Sequence, residues 1–247
     1  MRIALGIEYD GTDYHGWQCQ IGLSTIQEKV EAALSKIATH PIKIVCAGRT
    51  DAGVHALEQV VHFDTDVIRS DIAWVFGANS NLPGDIRVIW ARKVHEDFHA
   101  RFSAVSRQYN YKIYNNQIAS ALMRNRTVRV KPSLDANLMH EAGQYLVGRH
   151  DFSSFRGSGC QANHPVRTII FLDVARDGNI INIDIKANAF LLHMVRCIVG
   201  MLIKVGMGEK PPIWAKEVLE ARDRKVCPAT ALPQGLYFVK ADYSAVL

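Results

Sequence analysis

Asp177-Gly178-Asn179 separates two runs of strand-like residues, 167–175 and 180–187, and this pattern limits the fold more than any other. An Asp-Gly step between two such runs encodes a tight β-hairpin, so the chain builds antiparallel sheet. Further strands are predicted over 2–9, 42–46, 59–64, 86–94 and 105–114. Ser24-Thr25-Ile26-Gln27 reads as a capping box, with Ser24 as N-cap and Gln27 reaching back. The helix it opens aligns Ile26, Val30, Ala33, Leu34 and Ile37 on one face and ends before Pro41. Other helices are predicted from Ser70 or Asp71 to about 79–83, and over 135–146, 191–205 and 213–221. Strands and helices mix without a steady β-α-β-α beat, so the expected class is α+β with a mainly antiparallel sheet. A strand-helix-strand-strand order in both halves suggests two lobes, and no low-complexity linker separates them.

Bulk properties serve mainly to exclude. The 247 residues are 48% hydrophobic and 21% charged, an ordinary balance for a soluble globular protein. Glu8 and Asp10 interrupt the opening residues too soon for a signal peptide. The most apolar stretch, 189–203, contains His193 and Arg196 and falls short of a membrane span. A cytoplasmic protein is expected. Cys19, Cys46, Cys160, Cys197 and Cys227 form no Cys-x-x-Cys pair and are odd in number, which argues against a disulfide framework or zinc knuckle. No His-Glu-x-x-His occurs, and neither a metal nor a cofactor is expected. The net charge is +5, but its distribution says more: residues 98–134 contain no acid while Arg101, Arg107, Lys112, Arg124, Arg126, Arg129 and Lys131 fall there. Such a stretch is either a solvated charged face or a surface that tracks phosphates.

Three stretches carry candidate chemistry. Gly48-Arg49-Thr50-Asp51-Ala52-Gly53-Val54-His55-Ala56 is a loop of small residues at a strand's end, where scaffolds display functional side chains. It is equally a turn in which Asp51 caps backbone N–H groups and Arg49 forms a surface ion pair. It lacks the Lys-Ser/Thr of a phosphate-binding loop, which excludes an NTPase of that type. In the strand around 105–114, period two places Arg107, Tyr109, Tyr111 and Ile113 on one face. That face suits an unpaired base and its phosphate, or else two tyrosines pack their rings in a half-buried strand. Arg196 lies among Val195, Ile198, Val199, Met201 and Leu202, so it either reaches the surface or pairs with a carboxylate. His193, on roughly the same helical face, is read as a satisfied core or surface histidine.

In order along nearly the whole chain, these stretches and others resemble the tRNA pseudouridine synthase A family. The residues are Tyr9-Asp10-Gly11-Thr12-Asp13-Tyr14-His15-Gly16-Trp17-Gln18, the Gly48 to Ala56 loop, Phe98-His99-Ala100-Arg101-Phe102 and Arg107-Gln108-Tyr109-Asn110-Tyr111. Phe155-Arg156-Gly157-Ser158-Gly159-Cys160-Gln161, Phe190-Leu191-Leu192-His193-Met194-Val195-Arg196 and Pro233-Gln234-Gly235-Leu236-Tyr237 complete the series. The resemblance implies two similar α+β lobes that share a mainly antiparallel sheet, with helices packed on it and an active-site cleft between them. The lobes would be 1–102, with the Asp51 loop, and 103–247, with the Tyr109 strand and the Arg196 helix. It further implies a homodimer that grips tRNA and isomerises uridines 38, 39 and 40 of the anticodon stem-loop. By the family's pattern Asp51 is the catalytic aspartate, Tyr109 stacks on the target base, Arg196 pairs with Asp51, and Arg49 helps bind or open the RNA.

The chemistry agrees with that reading. Pseudouridine is an isomer of uridine, so neither redox change nor group transfer is needed. A carboxylate can form the covalent intermediate, at ribose C1′ or base C6. The target base must leave its stack, which calls for an aromatic platform and a cation. Either Asp51 or Tyr109 would take the C5 proton. Two other classes compete: a non-catalytic tRNA-binding protein, and a glycosidic-bond hydrolase with Asp51 as nucleophile. A retaining hydrolase normally needs a second carboxylic acid, and the signature loop holds none.

Overall fold

The structure, a computed structural model, describes residues 1–244. The class is α+β, with five α-helices and mostly antiparallel strand pairing among the described residues. The described chain forms two compact units, one of residues 1–106 with 237–244, the other of 107–236.

In the first unit, β1 (Arg2–Tyr9) lies between β3 (His55–Asp64) and β4 (Ile86–Val94), antiparallel to both. Its successive residues Ile3, Ala4 and Leu5 are all buried, as a central strand covered on both sides requires. Gly6 is where the indole of Trp90 crosses β1, and a Cβ there would collide with the ring. Helix α1 (Ile26–Ala38) buries Ile26, Val30, Ala33 and Leu34, and α2 (Asp71–Asn79) sets Trp74 edge-on to Phe63 of β3. Ser70 caps α2 through its side chain, one of the two residues expected to do so.

Two local expectations fail for a common reason. Thr25, not Ser24, is the N-cap of α1, and no side chain caps it. The first N–H groups already have partners, because Ile26 N donates to Gly16 O and Gln27 N to Trp17 O. Gln27 instead accepts from Cys19 N and donates to Glu31. Likewise the strand expected over 42–46 is reduced to β2, Val45–Cys46, beside β3. Ser35 Oγ accepts from Ile42 N at 2.8 Å and Glu31 Oε1 from Ile44 N at 3.2 Å. Side chains of α1 thus take the N–H groups that a longer ladder needs.

In the second unit, β5 (Ala104–Asn115) pairs with β9 (Ile180–Ala187), β9 with β8 (Val166–Asp177), and β8 with β7 (Gly148–Asp151), all antiparallel. The β8–β9 pair is the hairpin read from the sequence, and Gly178 has φ +55° at its turn. A short β6 (Val128–Val130) runs parallel to the end of β5. Ile181, Ile183, Ile185 and Ala187 turn inward along β9. Two helices pack against each other here, α3 (Ala136–Gln144), which Asp135 caps through its side chain, and α4 (Met194–Gly206). Next comes α5 (Trp214–Ala221).

The last strand, β10 (Leu236–Tyr243), carries its run from Tyr237 onward in the first unit, where Tyr237 and Phe238 pair in parallel with His55 and Ala56 of β3.

Candidate active site

The Asp51 loop leaves β2 and enters β3, and its backbone is fixed at both ends. Before it, Gln59, fully buried on β3, holds both the N–H and the carbonyl of Gly48 with its side-chain amide. Next to Asp51, Thr50 Oγ1 is bonded to the buried Tyr9 hydroxyl at 2.7 Å, and Thr50 O accepts from Trp17 N at 3.0 Å. After it, Val54 N returns to Asp51 O at 3.2 Å. Gly16 has φ +87°, and a Cβ there would lie 2.8 Å from Thr50 O. At Gly11 a Cβ would strike the Val54 carbonyl. The motif that begins at Tyr9 is therefore the bed on which the signature loop rests, so two stretches far apart in sequence form one substructure.

His55 completes that bed. It is buried, accepts from Gly11 N at 3.1 Å, lies 3.0 Å from Asp10 Oδ1, and stacks on Tyr237 at 4.8 Å between ring centroids. Tyr14 donates to Asp85 Oδ1 at 2.7 Å, and burial together with that carboxylate raises its hydroxyl pKa. On this frame Asp51 is half-buried and Arg49 is exposed. Burial pushes the neighbouring Cys46 thiol up to about 12, against the opposing charge of Arg49, so this sulfur is inert at neutral pH.

The second unit carries Tyr109 and Arg196. Tyr109 is half-buried on β5 opposite Ile185, with its ring edge-on to Phe190 at 5.0 Å and 85°. Arg107 donates to Asn188 O at 3.1 Å. Tyr111 separates from this pair: it is fully buried, donates to Leu232 O at 2.7 Å, and has its pKa raised by burial. Of the two tyrosines expected on one face, Tyr111 is a core residue. Arg196 sits in the first turn of α4 and its Nε donates to Ala231 O at 2.8 Å, while Ala231 N donates to Arg196 O at 3.1 Å. That segment approaches α4 so closely that a Cβ on Gly200 would meet the Ala229 carbonyl. A backbone carbonyl thus orients the guanidinium, a partner that no sequence pattern announces.

His193 departs from its expected place. The helix begins at Met194, and His193 precedes it with φ 60°, so the two residues do not share a helical face. The left-handed residue turns the chain so that Leu192 O accepts from Gly157 N at 2.8 Å. This contact joins the Phe155 to Gln161 motif to the Phe190 to Arg196 motif. Among the described residues, no group of three or more His, Cys, Asp or Glu side chains is arranged to hold a metal ion, and no helix is long and apolar enough to cross a membrane.

A profile of the tRNA pseudouridine synthase family matches residues 6–103 and 142–244, a span that takes in Asp51 and Arg196. The chain belongs to the tRNA pseudouridine synthase family. It is therefore an enzyme, an isomerase that acts on tRNA. The tRNA pseudouridine synthase A of Coxiella burnetii is 55% identical over 242 residues, covering 98% of this chain and 93% of that protein. That of Vibrio campbellii is 56% identical over 243 residues, covering 98% and 92%. In solved structures, a chain of the "Structure of H/ACA RNP bound to a substrate RNA containing 2'-deoxyuridine" matches with a TM-score of 0.40 at 9% identity, over 81% of this chain and 44% of that one.

Proposed function

We propose that this enzyme converts uridine to pseudouridine at positions 38, 39 and 40 of the tRNA anticodon stem-loop, without a cofactor, through a covalent intermediate on Asp51. The observation that carries the reading is Asp51 itself. It is the carboxylate of the family's signature loop, partly exposed on a backbone held on either side by buried partners. A nucleophile needs that combination of access and fixed aim. Its carboxylate adds to ribose C1′ or to base C6, the N1–C1′ bond breaks and the base turns; C5 then bonds to C1′, the bond to Asp51 breaks to return its carboxylate, and the proton lost from C5 is balanced by one gained at N1.

Tyr109 is the platform for the target base, and its edge-on contact with Phe190 supports the ring in position to stack. Arg196 is the cation that pairs with Asp51 in this reading. Arg49, exposed beside Asp51, binds and opens the RNA. The enzyme acts as a cytoplasmic homodimer on tRNA, with the basic 98–134 stretch contributing phosphate contacts.

The test is Asp51→Asn, which keeps the shape of the side chain and removes its nucleophilic charge. Nucleoside analysis of tRNA treated with this variant should show no pseudouridine, while a filter-binding assay shows the affinity for tRNA largely kept. Substantial turnover by Asp51→Asn removes the covalent role. Free uracil released by the wild type would instead indicate hydrolysis.

A further inference from the structure

We infer that the Arg101–Phe102 turn is a further RNA contact, where an unpaired base of the bound tRNA stacks on the Phe102 ring and its phosphate meets Arg101. Phe76 and Phe102 are the exposed phenylalanines among the described residues, at 65% and 75% exposure. Phe76 lies on α2, whose residues include no Lys or Arg. Phe102 directly follows Arg101, itself exposed, whose guanidinium carbon is 5.4 Å from the ring centroid. Both residues fall in the acid-free 98–134 stretch. An exposed ring beside an exposed guanidinium supplies the two halves of a nucleotide site, a π-face for the base and a cation for the phosphate.

The turn is built to hold that ring outward. Its own polar groups close on each other: His99 Nδ1 accepts from Arg101 N and Phe102 N, both at 3.2 Å, while Ser103 N donates to His99 O at 2.9 Å. Burial, and then the charge of Arg2, lower the pKa of His99, so its imidazole is neutral and keeps a lone pair for these two N–H groups. From the core side, the buried His62 accepts from Ala100 N at 3.1 Å, and Ala100 O accepts from the Tyr243 hydroxyl at 2.8 Å. The Phe102 ring rests on His99 with centroids 4.3 Å apart and planes at 29°. Most of Phe102 nevertheless stays in water, so it adds little to the core. A platform fixed beforehand loses little entropy when a base stacks on it.

The turn also lies near the signature loop. Ala100 is bonded to His62, three residues along β3 from the Gln59 that holds Gly48, and such a step of strand spans about 10 Å. The buried Cys46 thiol, before the loop, feels the positive charges of both Arg49 and Arg101. The stacked base is therefore a neighbour of the target uridine rather than part of a remote arm. That placement rests on the role proposed for the Asp51 loop; the stack itself needs only tRNA as the substrate.

The experiment measures binding of unmodified tRNA and of a fully paired RNA duplex to the full-length wild type, Phe102→Leu, Phe102→Trp and Arg101→Gln. Phe102→Leu should weaken tRNA binding about 5- to 100-fold, the range of one base–aromatic stack, and leave duplex binding within about twofold. Phe102→Trp should bind tRNA like the wild type, and its added indole should lose emission on titration with tRNA beyond any change in the wild type. Arg101→Gln should lower the log–log salt slope for tRNA by about 0.7–0.9, whereas Phe102→Leu should leave that slope unchanged. Wild-type tRNA affinity in Phe102→Leu overturns the inference, as does an equal loss on the duplex or an added indole that tRNA does not quench. An emission shift of Phe102→Trp with protein concentration alone would assign the ring to a second copy of this chain and overturn it too. Failure of the wild type to form pseudouridine in the same tRNA would count against the proposed reaction, while the binding data decide the stack.

Discussion

Tyr109 and Tyr111 stand two residues apart on β5 with opposite fates, and substitution should separate them. Tyr111→Phe leaves the Leu232 carbonyl without its donor, so it should lower stability by about 1–2 kcal/mol in urea unfolding while turnover stays near wild type. Tyr109→Phe keeps the ring and its contact with Phe190, so stacking should survive; complete loss of turnover would assign a chemical role to the hydroxyl. His62 supplies a pH test. It is buried and accepts from Ala100 N at 3.1 Å, and burial lowers its pKa from 6.5 to about 4. The unfolded chain therefore binds more protons between those values, so stability present above pH 6.5 is lost as pH falls toward 4, by on the order of 3 kcal/mol. Urea midpoints across that window should show the loss, and His62→Gln should flatten it. At this scale the sequence was most legible where a motif carries a side chain. Period two makes Asp51 and Arg196 no clearer and leaves the two tyrosines indistinguishable; the Leu232 carbonyl that receives the Tyr111 hydroxyl tells the tyrosines apart.

At the scale of elements, hydrophobic period and turn chemistry were good guides. The strand predicted over 86–94 is β4, the hairpin lies where Asp177-Gly178-Asn179 placed it, and Ser70, one of two residues expected, caps α2. What failed were local signals overridden by long-range partners. Backbone carbonyls of Gly16 and Trp17 replaced the capping box, and side chains of α1 replaced the ladder of a longer β2. The short strands β6 and β7 were not anticipated, nor was β10; of these, β6 and β7 have too few residues to show a period. Close backbone approaches were also invisible, because a glycine in a sequence does not name its neighbour. Gly200→Val should demonstrate this one: it forces the Ala229 segment away from α4 and loosens the seat of Arg196. A loss of roughly 2–4 kcal/mol in unfolding free energy is expected, with lower turnover in the folded fraction.

At the scale of the whole molecule, charge is the property that a sequence exposes without a fold. The acid-free 98–134 stretch predicts tRNA binding that weakens steeply with salt. If Arg124 and Arg126 each meet a phosphate, replacing both with Gln should reduce the log–log salt slope by about 0.7–0.9 for each phosphate no longer neutralised; an unchanged slope would show a merely solvated face. Family membership and reaction class were likewise legible, since ordered motifs survive along the chain. Which unit owns the C-terminal strand was not, because the parallel pairing of Tyr237 with His55 spans the length of the protein. The central claim joins a reaction to one carboxylate, and tritium release tests both together. With tRNA labelled at uracil C5, wild type should release tritium and leave pseudouridine at positions 38–40, while Asp51→Ala should release none. Equal release by Asp51→Ala, or no release from a folded wild type that binds tRNA, would contradict the account.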